Sequence, residues 1–309
     1  MTRGLRALVE EGSYTRDKAG ADRAGAVLRE LMPWRPEVAR SERFGDHLFF
    51  HHGRGGGDPG VVLVGHLDTV FPRGSFEGFG VEGEVARGPG VLDMKGGLVV
   101  IAFALRALER RGLLDGLGVT VAVVSDEEVG SPESAALLRE AARGATCALV
   151  FESGRAGDAI ITRRKGTGTV TVDATGKAAH AGNAHHLGAS AIRAMARWID
   201  RAEALTDPAR GVTVNVGTVS GGTSKNTVPE RCRVEVDFRY VARDDGEAVV
   251  RGFEEIAREA ATPGTRIAVA GGVSRRPLAR TAASAALCAR YGECQRAAGL
   301  GDAEAGLVG

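Results

Sequence analysis

The chain has 309 residues, 43% of them hydrophobic and 26% charged, the balance of a soluble globular protein with room for one large domain or two ordinary ones. Forty Lys and Arg against 39 Asp and Glu leave a formal charge of +1, which speaks against nucleic acid or an anionic membrane as the main partner. Cys147, Cys232, Cys288 and Cys294 form no CxxC pair, no apolar run reaches the length of a membrane span, and the first residues lack the apolar core of a secretory signal; reduced thiols in a cytoplasmic protein are expected.

Taken in chain order, DRAGAVLRELM (22–32) repeats apolar residues at helical spacing, and VVLVGH (61–66) predicts a buried strand. GRGGGDPG (53–60) is a short Gly-rich loop. GGLVVIAFALRALERRG (96–112) predicts a long helix with an apolar face and a glycine stop. VTVAVVSDEE (119–128) and CALVFES (147–153) are further β-branched runs, with a helix over SPESAALLREAARG between them. Strand and helix in alternation predict an α/β domain with a mainly parallel sheet covered by helices on both faces. In such sheets, ligands gather at the carboxyl ends of the strands.

From about Gly166 the rhythm changes. GTVTVDATG alternates as a strand, 189–205 reads as an amphipathic helix, and GVTVNVGTVSGG and RCRVEVDFRYV follow as strands with no helix between them. A helix over 246–261 and a strand over 265–272 complete a β-α-β-β-α-β order, the ferredoxin-like unit. The expected organisation is a first domain over 1–165, an inserted domain over 166–273, and a return to the first domain over 274–309, which contains a helix at 281–298.

Acidic and imidazole groups follow each parallel-type strand: His66 and Asp68 in GHLDTV, Glu127 and Glu128 in SDEEVGS, and Glu152 in FESG, with Asp93 in GPGVLDMKGG between them. Hard oxygen ligands with one nitrogen are a mixture that zinc and its neighbours accept, and a carboxylate such as Asp93 can bridge two cations. Each fragment alone has a bland reading: a His–Asp pair is more often a surface hydrogen bond, and DEE more often a solvated turn. Their occurrence in order, after predicted strands, favours the metal reading.

The motifs GHLDTVFP, GPGVLDMKGG, SDEEVGSPES, FESG and GKAAHAG together resemble the zinc-dependent M20 peptidases, most of all those of the glutamate carboxypeptidase type. The resemblance implies two zinc sites. His66 would bind one ion with Asp68 behind it fixing the ring, Asp93 would bridge both, Glu128 would ligate one ion and Glu152 the other, and Glu127 would be the general base. It also implies a cis peptide between Asp93 and Met94. The inserted domain would be a lid and dimerisation domain, from which His180 serves the partner subunit's site by stabilising an oxyanion, while Asn226 and Arg239 hold the substrate carboxylate. His185 and His186 are read as capping the helix that follows, and His47, His51 and His52 as ordinary loop or strand residues.

The family's last metal ligand is a histidine near the C-terminus, whereas no histidine follows His186 here. The chain is therefore expected to be C-terminally truncated relative to the family, with the Asp93–Glu128 site short of a ligand and activity impaired. The implied activity is hydrolysis of an amide or peptide bond, releasing a C-terminal amino acid such as glutamate, by a homodimer acting on a peptide or N-acyl amino acid. An N-acyl-amino-acid deacylase and a catalytically impaired paralogue are the alternatives.

Overall fold

The computed structural model describes residues 1–53 and 60–307 and divides into two compact units, Met1–Ser153 and Gly154–Gly309. Residues 54–59 of the Gly-rich loop lie outside the described residues.

The first unit runs α1 (Thr2–Glu10), α2 (Lys18–Leu31), β1 (Pro36–Ala39), β2 (His47–His52), β3 (Val61–His66), the small hairpin β4 (Gly80–Glu82) and β5 (Val85–Arg87), α3 (Gly96–Arg110), β6 (Val119–Val124), α4 (Ser134–Ala141) and β7 (Cys147–Val150). Its five-stranded sheet has the order β1-β2-β6-β3-β7. The strands β6, β3 and β7 are parallel, as the alternation with helices predicts, while β2 is antiparallel to both β1 and β6. The sheet is thus mixed, with its parallel part where the acidic motifs lie. His47, His51 and His52 all fall on β2.

Strand periodicity divides the apolar residues between two faces. Leu48, Phe50, Leu63, Val121 and Val123 face Leu8, Leu28, Leu98 and Leu105 of α1, α2 and α3, while Phe49, Val62 and Ala122 form a smaller cluster with Leu137 and Leu138 of α4. Register then sets the site: His66 pairs with Val124 and Val64 with Val150, so residues 66–68, 125–128 and 151–152 leave the sheet at one edge.

The second unit runs β8 (Gly166–Thr175), β9 (Ala179–His180), α5 (Ala191–Glu203), β10 (Thr213–Gly221), β11 (Thr227–Val228), β12 (Arg231–Tyr240), α6 (Arg243–Ala260), β13 (Arg266–Arg275) and α7 (Ala282–Ala297). The order β10-β12-β8-β13, antiparallel throughout, is that of the ferredoxin-like unit. Val170, Val172, Val234, Val236 and Phe238 pack under Met195 and Trp198 of α5 and Phe253 of α6. Gly168 is glycine because a Cβ there would stand 2.0 Å from the Phe238 ring.

The helix cap expected at His185–His186 is instead Ser190, whose side chain accepts from the Arg193 N–H. The helix α7 clusters with the second unit, since Gln295 Nε2 donates to the Asp158 carbonyl (2.8 Å) and Gly301 N donates to the Asp158 carboxylate (2.9 Å). These contacts draw 154–165 and the C-terminal residues into one body, whereas the sequence rhythm puts boundaries at 165/166 and 273/274. All four cysteines are free thiols, but only Cys232 is buried and Cys294 is exposed. Among the described residues, no helix is long and apolar enough to cross a membrane.

Candidate metal centre

The imidazole of His66 is the floor of the site. It is 1% exposed, because β3 lies between β6 and β7 and ends with this residue. Its Nδ1 lies 3.0 Å from the Asp68 carbonyl and 3.3 Å from Asp68 Oδ1. Both neighbours are acceptors, so Nδ1 carries a proton and Nε2 is the nitrogen turned to the site. Nε2 stands 3.0 Å from Asp93 Oδ1 and 3.1 Å from Glu152 Oε1.

Each carboxylate is delivered by a separate local device. Asp93 belongs to a turn, Val91–Lys95, that enters α3 after Gly90, whose φ of +74° is the left-handed region suited to glycine. The Asp93–Met94 peptide is cis, as expected. Met94, fully buried, accepts the His66 N–H on its Sδ at 3.1 Å, so the turn is fastened directly to the strand it serves. Lys95, also fully buried, donates to the carbonyls of Leu8 (2.9 Å) and Glu11 (3.0 Å), tying the turn to the C-terminal end of α1. Burial pushes its ammonium down to about 8, against a weak pull from Glu11. Glu152 follows β7, and α3 approaches there so closely that a Cβ on Gly97 would stand 2.0 Å from the Phe151 carbonyl.

Glu127 and Glu128 begin a short turn after β6. Their N–H groups donate to Asp68 Oδ1 (3.2 Å) and Oδ2 (3.1 Å), so the carboxylate behind His66 also holds this turn. The preceding residue, Asp126, is fully buried and accepts from Glu133 N (2.8 Å), Ser134 N (3.1 Å) and Ser134 Oγ (2.5 Å), which anchors the turn to the start of α4. One donor atom each from His66, Asp93 and Glu128 lies within 4.8 Å of the others.

The electrostatics follow from this crowding. Burial alone would push the His66 imidazole down, but the carboxylates of Asp68, Asp93 and Glu152 outweigh it and push it up to about 12. The His66 hydrogen bond in turn holds Asp93 below the usual carboxylate range. Glu128 is pushed up to about 7, first by burial and then by Asp93, with Asp68 and Glu127 adding to the repulsion. The imidazolium thus supplies positive charge in a cluster otherwise made of acids.

In the second unit, β9 and β11 form a two-stranded ribbon that pairs His180 with Thr227, and Ala181 N donates to the Asn226 carbonyl (2.9 Å). His180 and Asn226 are therefore neighbours, both exposed. His180 Nδ1 accepts from Gly182 N (3.2 Å) and Asn183 N (3.1 Å), so in the neutral ring the proton sits on Nε2. Arg239 lies toward the end of β12, on the face away from the helices, and its guanidinium pairs with Asp237 (2.8 Å). Sequence reading did not pick out Met94, Lys95 or Asp126 as supports. Their position inside the DMKGG and SDEE motifs was the available signal.

The fold and the clustered site define an α/β chain of two units, the first of which carries a candidate metal centre. Aminopeptidase PepT from Bacillus cereus superposes with a TM-score of 0.81 at 20% identity, over 99% of this chain and 83% of that one. A Bacillus subtilis protein described as a dinuclear metal binding peptidase from the M20 family superposes with a TM-score of 0.68 at 14% identity, over 100% and 82%. Residues 162–265 match the peptidase dimerisation domain of the M20 peptidases. Carboxypeptidase G2 from Pseudomonas sp. (strain RS-16) is 34% identical over 268 residues, which is 84% of this chain and 64% of that one. Succinyl-diaminopimelate desuccinylase from Cereibacter sphaeroides is 31% identical over 251 residues, 74% of this chain and 65% of that one. The chain therefore spans just under two thirds of the length of these two relatives. It belongs to the M20 peptidase family, with its likeness running to the glutamate carboxypeptidase type.

Proposed function

We propose that this chain is a divalent-metal-dependent amide hydrolase that cleaves the bond before a C-terminal amino acid, glutamate being the first candidate. The single observation that carries this reading is the meeting of His66 Nε2 with Asp93 and Glu152 at 3.0 and 3.1 Å, with Glu128 beside them. The residues fit a cation. One imidazole nitrogen is committed to Asp68 and the other to carboxylates, and the oxygen-rich set with one nitrogen suits zinc. His66, Asp93 and Glu152 would hold one ion as a three-ligand site. Asp93 and Glu128 offer two ligands to a second, which is the weaker of the pair. When bound, such cations polarise a carbonyl and make water more acidic.

The chain's own residues supply the rest. Glu127 leaves the same turn as Glu128 and is held by its N–H to Asp68, which suits it to accept a proton from the attacking water and return it to the leaving amine. His180 presents a donor Nε2–H, the form needed to stabilise an oxyanion, and would act in a partner subunit of a homodimer. Asn226 and Arg239 would hold the free carboxylate of the substrate. For Arg239 this requires exchange of the Asp237 partner.

A second reading, deacylation of N-acyl amino acids with the same machinery, is favoured by the relatives named as a desuccinylase and, in Myxococcus xanthus, an acetylornithine deacetylase. The test is hydrolysis by the zinc-loaded chain of a panel containing peptides, N-acyl-glutamates and N-acyl basic amino acids. Turnover confined to C-terminal glutamate supports the first reading, and preference for small acyl groups on basic amino acids supports the second. One zinc bound without measurable hydrolysis would favour a catalytically impaired paralogue.

A further inference from the structure

The buried Asp68 carboxylate takes four donors. Three belong to the site already described: His66 Nδ1 and Glu127 N on Oδ1, and Glu128 N on Oδ2. The fourth comes from a part of the chain with no proposed ligand. Thr15 Oγ1 lies 2.9 Å from Asp68 Oδ2, and Thr15 is 1% exposed.

The segment that brings Thr15 there is held along its length. Residues 13–15 run parallel to 67–69: Thr69 N donates to the Ser13 carbonyl (2.9 Å) and Thr15 N to the Thr69 carbonyl (3.1 Å). Ser13 Oγ adds a bond to the Leu67 carbonyl at 2.7 Å. Two residues later, Asp17 caps α2 by accepting from Gly20 N (3.0 Å). The hydroxyl is therefore mounted between a helix start and the backbone of the metal-site strand.

We propose that Thr15 is a positioning residue of the metal centre: its hydroxyl fixes the rotation of the Asp68 carboxylate, so that this one group both aims His66 and pins the Glu127–Glu128 turn. The inference rests on the cation-binding reading above. Its physical basis is that carboxylate torsion is broad and soft unless both oxygens are engaged. Without the hydroxyl, Oδ2 keeps only the Glu128 N–H at 3.1 Å. Oδ1 meets His66 Nδ1 at 3.3 Å, so a small rotation leaves the ring to the Asp68 carbonyl alone. The hydroxyl has a second acceptor in the Thr69 carbonyl, but at 3.3 Å that is the longer contact.

The experiment uses the 309-residue chain, stripped with a chelator and titrated separately with Zn²⁺ and Co²⁺. Thr15→Val keeps the branched shape and removes the donor, and Thr15→Ser restores it. The expectation is at least about tenfold weaker metal binding and an altered cobalt absorption band for Thr15→Val, the loss seen when outer ligand supports are removed. Thr15→Ser should recover wild-type binding, and Thr15→Val should add no further loss in an Asp68→Ala background. If Thr15→Val fails to fold, Thr15→Ala is judged by the same criteria. Wild-type affinity and cobalt spectrum in the folded hydroxyl-free variant would overturn the inference. If the wild type binds neither ion, the parent reading fails, and amide exchange at Glu127 and Glu128 in the metal-free chain decides alone. Faster exchange without the hydroxyl supports the Thr15 role, and unchanged exchange overturns it.

Discussion

Asp68→Asn is the substitution whose cost can be worked from the distances. The carboxylate offers two oxygens to four donors, and an amide offers one oxygen. The better placement keeps the amide oxygen at Oδ1, where it still serves His66 and Glu127. The amide nitrogen then faces the Glu128 N–H, donor against donor. Thr15 can turn to the Thr69 carbonyl at 3.3 Å, so one half-buried backbone donor, the Glu128 N–H, is stranded. A stranded donor costs about 1–3 kcal/mol, and turning the two retained bonds from charge-assisted to neutral costs about 1 kcal/mol each. The expected loss is about 3–5 kcal/mol in the metal-free chain, read from urea unfolding in chelator at neutral pH. Zinc affinity should fall about 10–100-fold in the same variant. A change under about 0.5 kcal/mol would refute the assignment of Asp68 as the shared acceptor, since single surface substitutions already reach that size.

Glu127→Gln should reduce hydrolysis about 10²–10⁴-fold while zinc affinity stays close to wild type, which steady-state kinetics and metal titration together will read. In the metal-free chain, Glu128 holds its proton up to about 7 rather than its ordinary 4.5, and His66 up to about 12 rather than 6.5. The folded state therefore binds more protons than the unfolded one from about pH 4.5 upward through the neutral range. The contribution of these two groups to stability must fall as pH rises there. A urea midpoint that rises from pH 5.5 to 7.5 in chelator would contradict this, and saturating zinc, which displaces those protons, should reverse the trend. Lys95 works in the opposite sense. Depressed from 10.5 to about 8, it is more protonated in the unfolded chain between those values, so its contribution grows as pH rises through that window. The stability difference between wild type and Lys95→Met should accordingly grow by about 3 kcal/mol from pH 7.5 to 10.5. A flat difference would show that the ammonium is not desolvated.

Much of this site is legible in the sequence because the elements that carry it announce themselves. The apolar runs of β3, β6 and β7 each end in acids or imidazole, and register alone brings those ends to one edge. The ferredoxin-like unit is equally plain, since its alternating strands and strongly amphipathic helices have only one apolar face each to bury. What escapes is whatever depends on tertiary contact without periodicity. β1 and β2 are short and rich in polar residues, so nothing in HLFFHH marks the antiparallel pairing that makes the sheet mixed. Lys95 reads as a surface charge until the C-terminal end of α1 is seen beside it, and Thr15 lies in a polar stretch whose partner is more than 50 positions away. Arg239 carries the right chemistry for a carboxylate, but an aspartate two residues away on its own strand already holds it. Spacing in sequence does not reveal such a competing partner.

If His66, Asp93, Glu128 and Glu152 share divalent cations, an anomalous-scattering map from crystals grown with zinc will show them. The prediction is a peak about 2.0–2.2 Å from His66 Nε2 and from an Asp93 oxygen, with Glu152 or Glu128 completing it. Zinc bound only elsewhere, with His66 Nε2 still hydrogen-bonded to the two carboxylates, would contradict it.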